Sequence, residues 1–231
     1  MNTVALLDLE GTLVHNEFLE DMAKVNGTYA KVSEITKNAM AGNIDYNKAF
    51  DERIELVKGL KKEVALELLK KARLRENANQ LVNWLHEKGC KTVILTNGFG
   101  FFAKDIAGQL HIDKVYANEL VFDGNTLNTA VNSVNKDKIA REYLNKNYAV
   151  ITIGDGANDI AMFKNSSLSI AIGNRKKVVD NADFCVNALD DAKSILEKPF
   201  YLVAGDVAEL NFDGNILRFE SQEELERRID K

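Results

Sequence analysis

The chain has 231 residues, 45% apolar and 28% charged, which suits a soluble α/β protein with one large domain or a medium domain carrying a smaller one. No apolar run approaches the ~20 residues of a membrane span. A formal net charge of −5, with no basic cluster beyond Lys70 to Arg75, argues against a nucleic-acid partner. The N-terminus opens at once on Val4-Ala5-Leu6-Leu7 without the basic flank of a signal peptide, so a cytoplasmic chain with no membrane partner is expected.

The apolar run at residues 4–7 predicts a buried strand ending at Asp8. From Asn16 to about Arg73 there is no credible strand. Amphipathic segments broken at Asn26-Gly27, Gly42-Asn43 and Gly59 predict instead a helical insertion. Helices are predicted over residues 77–88, 100–110, 136–144 and 159–165. They alternate with strands at 91–96, 148–154 and 168–172, and a weaker one at 183–186. Asp123-Gly124, between two short apolar runs in 119–127, predicts a hairpin decorating the core. The alternation predicts an α/β fold, a doubly wound parallel sheet covered by helices on both faces.

The expected organisation is a core of residues 1–14 and 75–198, a helical cap at 15–74, and a tail at 199–231 starting at the lone Pro199. The tail is expected to hold a strand, a second hairpin at 209–217 that repeats the text of the first, and a helix from Gln222. Cys90 and Cys185 are expected to be buried free thiols, and His15, His86 and His111 to be scattered over the surface.

Ligands in such folds bind outside the carboxyl ends of the parallel strands. Three apolar runs end there in polar text: Asp8-Leu9-Glu10-Gly11-Thr12-Leu13, Thr96-Asn97-Gly98, and Gly154-Asp155-Gly156-Ala157-Asn158-Asp159. Lys136 stands between the second and third, with Lys138 as its rival. Two acidic residues ending a buried strand are costly without a cation. Carboxylate attack on a phosphoryl group, anion against anion, likewise requires a hard cation between the two.

In order and spacing these segments resemble the signature motifs of the haloacid dehalogenase superfamily: Asp-x-Asp-x-Thr, a Ser or Thr, a Lys, and Gly-Asp-x-x-x-Asp. The resemblance implies a phosphatase with a Rossmann-like core, a cap after the first strand, and Mg²⁺ as cofactor. Asp8 is then nucleophile and metal ligand, joined on the metal by Asp155 and the Glu10 carbonyl, with Asp159 as ligand or support. Lys136, Thr96, Asn97 and Asn158 would hold the phosphate. Glu10 stands where most members carry Asp, and as acid and base it is one methylene longer, which bears on the ratio of hydrolysis to transfer.

From about residue 2 to 190 the chain is similar to the phosphoserine phosphatases, including Leu13-Val14-His15-Asn16-Glu17, Ile35-Thr36-Lys37-Asn38-Ala39-Met40-Ala41-Gly42 and Arg53-Ile54-Glu55-Leu56. That similarity implies Glu17 on a substrate ammonium, Arg53 on its carboxylate and Met40 lining the pocket. The expected partner is a small phosphorylated metabolite, O-phosphoserine first, and the expected state a monomer or homodimer. The alternatives are another small metabolite phosphate, phosphotransfer to serine or homoserine, and a non-catalytic phosphate-binding module.

Overall fold

The computed structural model describes residues 2–41, 43–198, 200–204 and 215–219. In chain order it runs β1 (Asn2–Leu7), α1 (Phe18–Val25), α2 (Tyr29–Ala41), α3 (Tyr46–Val57), α4 (Lys62–Lys70), α5 (Ala78–Glu87), β2 (Lys91–Phe99), α6 (Gly100–Leu110), β3 (Lys114–Asp123) and β4 (Thr126–Val131). It continues with α7 (Lys136–Leu144), β5 (Tyr148–Gly154), a 3₁₀ turn (Ala157–Asp159), α8 (Ile160–Phe163), β6 (Leu168–Ile172), α9 (Lys176–Val179), β7 (Phe184–Val186) and α10 (Leu189–Glu197). β8 (Phe200–Ala204) and β9 (Asn215–Phe219) close the order.

The strands form a seven-stranded sheet in the order β4-β3-β2-β1-β5-β6-β7. β2 with β3, β5 with β6, and β6 with β7 are parallel, and β3 with β4 is antiparallel. Burial follows position in that order. Val4 to Leu7 of the central β1 and all of β6 are buried, and such strands read as continuous apolar runs.

The chain divides into two compact units. One comprises Met1–Leu6, Glu76–Thr92 and Lys136–Lys231. In it α7 covers β5, and α10 packs on α5 and β7. The second comprises Leu7–Arg75 and Val93–Asn135, so the cap helices α1–α4 belong with most of β2, α6 and the β3–β4 hairpin.

Within the second unit the cap is built from short helices with defined ends. α1 stops where Gly27 takes a φ of +71°, the Thr28 and Gly27 N–H groups closing on the carbonyls of Ala23 and Lys24. α3 starts at Asp45, whose carboxylate accepts the N–H groups of Asn47 and Lys48 at 2.9 and 3.1 Å. Phe18 of α1 stacks on Phe102 of α6 with ring centroids 4.0 Å apart, and Phe50 of α3 lies against Phe99 at the end of β2.

The hairpin is more than decoration. β3 starts at Lys114, upstream of the predicted ribbon, and joins the sheet by pairing Lys114, Val115 and Tyr116 with Val93, Ile94 and Leu95. β4 then forms the edge and receives the cap: Gly59 N–H donates to Leu127 O, Leu127 N–H to Leu60 O, and Lys62 N–H to Asn125 O. Residues 114–118 were missed because a partly exposed strand lacks the continuous apolar run that marks β1 or β6.

Other expectations need correction. Cys185 is exposed, because β7 is an edge strand and alternate residues of it face outward. Cys90 is buried as expected. His86 is half-buried, with Nε2 2.8 Å from the Thr92 hydroxyl. The helix expected over 159–165 is a 3₁₀ turn followed by the shorter α8. β8 and β9 pair in parallel, Phe200 opposite Asn215. Most of the second hairpin and the helix from Gln222 lie outside the described residues.

Candidate active site

Asp8 directly follows β1 and is 4% exposed. The chain then folds into a tight turn in which Leu9 O accepts the N–H groups of Leu13 and Val14, and Gly11 N–H donates to Val14 O. Gly11 has a φ of +74°, open to glycine at little cost, and its carbonyl accepts a hydrogen bond from Arg75 Nη2. On this turn Glu10 points its carboxylate at the cap. Oε1 accepts the N–H of Phe18, the first residue of α1, at 2.7 Å. That N–H is one of the unpaired donors of a helix N-terminus, and the N-cap residue Glu17 makes no side-chain capping bond, so Glu10 supplies the cap from a distance.

The other Glu10 oxygen faces the end of β2. A Cβ added to Gly98 would lie 2.6 Å from Oε2, so glycine here is a spatial requirement. Thr96, 1% exposed, accepts the Gly98 N–H on its hydroxyl at 2.9 Å, fixing a compact turn. The Asn97 side chain donates to Val134 O at 3.4 Å, so it is turned towards the segment after β4.

At the end of β5 the acidic text is arranged around two glycines. Asp159 is fully buried; its Oδ2 accepts the Gly156 N–H at 2.8 Å and its Oδ1 lies 2.5 Å from Lys136 Nζ. A Cβ on Gly154 would strike the Asp159 carboxylate, and one on Gly156 would strike the Asn158 side chain. Lys136, the first residue of α7, is 4% exposed, whereas its rival Lys138 is exposed. A lysine stays charged in such burial only with a partner, and Asp159 is that partner. Asp155 accepts a 2.8 Å hydrogen bond from Arg175, an exposed residue for which the sequence carried no signal. Asn158 is exposed on the 3₁₀ turn.

Asp155 and Asp159, both in the first unit, each offer a carboxylate oxygen within 4.8 Å of the other, and Asp8 in the second unit offers a third. An all-oxygen, anionic donor set suits a hard divalent cation better than a soft one, so the residues present fit a metal site of the Mg²⁺ type.

The cap residues are less convergent. Glu17 lines a polar cleft of about 210 Å³ with Glu20, Asp21, Lys24 and Arg73, a cleft that Arg53 does not line. Arg53 is held by its own cap, donating from Nε to Ala49 O at 2.9 Å and from Nη1 to the Thr36 hydroxyl at 3.3 Å. The side chain of Met40 lies outside the described residues. Sequence reasoning also passed over Asn118, a fully buried amide on β3. It stands just before the hairpin predicted at 119–127, where no strand was expected, so no local signal marked it.

Comparison with known proteins gives one consistent picture. The haloacid dehalogenase-like hydrolase family model matches residues 3–166. The chain is 31% identical over 205 residues to a phosphoserine phosphatase of Archaeoglobus fulgidus, covering 84% of this chain and 60% of that one. It is 30% identical over 194 residues to the phosphoserine phosphatase of Methanocaldococcus jannaschii, covering 80% and 92%. A solved phosphoserine phosphatase, described as a phospho-aspartyl intermediate analogue, matches with a TM-score of 0.78 at 26% identity over 84% of this chain and 98% of that one. These likenesses support a phosphomonoesterase. With the family match running from β1 to just past α8, the chain belongs to the haloacid dehalogenase-like hydrolases.

Proposed function

We propose that this chain is a Mg²⁺-dependent phosphatase that hydrolyses O-phosphoserine through an aspartyl-phosphate on Asp8. The observation that carries the reading is the close pair of carboxylates on Asp155 and Asp159, with the nearly buried Asp8 at the end of β1, in a chain whose relatives are named phosphoserine phosphatases. Carboxylates this close repel one another unless a cation joins them.

Asp8, Asp155 and the Glu10 carbonyl, with Asp159 in support, would hold a Mg²⁺, which would supply positive charge to lower the barrier between the two anions. An Asp8 carboxylate oxygen attacks phosphorus and the bond from phosphorus to the serine oxygen breaks. Glu10 donates a proton to the departing alkoxide. Water then gives a proton to Glu10 and attacks the same phosphorus; the bond to Asp8 breaks, and inorganic phosphate leaves. Lys136, Thr96, Asn97 and Asn158 hold the phosphate oxygens, the ammonium of Lys136 being fixed in place by Asp159. Glu17 and Arg53 take the substrate ammonium and carboxylate, an arginine fork matching a carboxylate.

The test is phosphate release from a panel of small phosphomonoesters, with and without Mg²⁺, with serine and homoserine offered as acceptors. Phosphoserine should be turned over fastest, and a chelator should abolish the reaction until Mg²⁺ is restored. Preference for another ester would refute the substrate, and turnover indifferent to chelation would refute the metal mechanism.

A further inference from the structure

β2 and β3 do not pair evenly. Leu95 lies opposite Tyr116 and Phe99 opposite Asn118, so three residues, Thr96, Asn97 and Gly98, face the single Ala117. The surplus backbone bulges out of the ladder at the strand end that carries the phosphate-binding text. A bulge leaves peptide groups without their regular ladder partners, and such groups must be satisfied in another way.

Asn118 does this at Asn97. Its Nδ2 donates to Asn97 O at 2.7 Å, while its Oδ1 accepts the N–H groups of Ser133 at 2.9 Å and Val134 at 3.2 Å. The side chain is 0% exposed, so these bonds face no competition from water. The amide orientation is set by the partners, because a flipped group would place oxygen against a carbonyl and NH₂ against two N–H donors. Val134 stands two residues before Lys136, and its own carbonyl accepts from the Asn97 side chain. One buried amide thus clamps the 96–98 bulge to the segment that leads into Lys136.

We infer that Asn118 is a positioning residue for phosphoryl transfer, holding the Thr96–Gly98 bulge in the geometry that receives the phosphate. The inference rests on the phosphatase reading above. Neither of the two side chains of similar size meets these needs. Asp accepts from Ser133 and Val134 but sets an oxygen against Asn97 O, and Leu has similar bulk but no polar atom.

The test compares wild type with Asn118→Asp and Asn118→Leu, measuring kcat and KM on phosphoserine and on an aryl phosphate, together with inhibition by inorganic phosphate. Rates are taken per folded molecule, well below each melting temperature. Both variants should lose roughly 10²-fold in kcat, the cost of a misplacement near 1 Å. The loss should be equal on the two substrates, since the phosphate end is common to both, and inhibition by inorganic phosphate should weaken in parallel. Asn118→Asp is nearly isosteric and keeps two of the three bonds, so it carries the test if the Leu variant does not fold. Asn118→Asp within about threefold of wild type, with unchanged phosphate inhibition, would overturn the inference, as would a loss seen only in melting temperature. A wild type that hydrolyses neither ester refutes the phosphatase reading, and the inference with it, and is told apart by that control.

Discussion

Gly98→Ala tests whether the extra methylene of Glu10 is accommodated by design. The new Cβ would stand 2.6 Å from Glu10 Oε2 and 3.1 Å from its Cδ and from Thr96 Oγ1, where ordinary contact begins at 3.4 Å. One of the groups must therefore yield by about 0.8 Å. Glu10 is not free to swing aside without cost, because its Oε1 accepts the Phe18 N–H at 2.7 Å and moving it uncaps α1. Thr96 is 1% exposed and already bonded to Gly98 N–H, so it has no room either. A displacement of this size at a proposed acid and base should lower kcat by about 10²-fold. Steady-state kinetics on phosphoserine and an aryl phosphate would measure it, with urea denaturation as a check on folding. Glu10→Gln alone should cost roughly 10²–10⁴-fold. The double variant Gly98→Ala with Glu10→Gln should be no slower than Glu10→Gln, because both changes act on one carboxyl. Gly98→Ala within twofold of wild type, or losses that multiply in the double variant, would refute the reasoning.

Asp8→Asn should abolish turnover and covalent labelling by phosphate while leaving the melting curve in place; residual activity within about tenfold, only ~1.4 kcal/mol of transition-state stabilisation, would contradict Asp8 as nucleophile. Lys136→Met should cost about 3–5 kcal/mol in urea unfolding, since it strips a fully buried Asp159 of its charge partner; adding Asp159→Asn should recover part of the loss, and a cost below 1 kcal/mol would argue against the pair as drawn. Glu17→Gln and Arg53→Ala should each depress kcat/KM on phosphoserine far more than on an aryl phosphate, which offers neither ammonium nor carboxylate. Equal losses on both substrates would reduce these residues to supports of the cap.

The parts of this protein legible in one dimension are those whose signal is local. β1, β5 and β6 are largely buried and appear as mostly apolar text, so their type, and for β5 and β6 their bounds, could be read from the sequence. The same holds for the polar residues that end them, because an acidic residue straight after a buried strand contradicts its surroundings unless it has a task. Asp8 and Asp155, directly after β1 and β5, could be singled out in this way, while Thr96, Lys136 and Asp159 were singled out by the resemblance of the motif order. The helical character of the stretch holding α1–α4 was visible too, since Gly27 and Gly59 interrupt the helical period.

What needed the tertiary structure was every feature made by residues far apart in the chain. The cap of α1 by Glu10 joins positions 10 and 18 across a turn, the Lys136–Asp159 pair spans 23 residues, and Asn118 clamps backbone 15 to 21 residues away. No periodicity encodes such contacts. Asn118 on a partly exposed strand and Arg175 ahead of a four-residue helix read as ordinary surface polar residues until their partners are known. The sequence by itself determined which residues are chemically able to act and on which strand ends they stand, because propensity and burial are written in neighbouring positions. Only the tertiary structure decided which of their atoms meet, because hydrogen bonds and desolvation depend on distances that chain order does not contain.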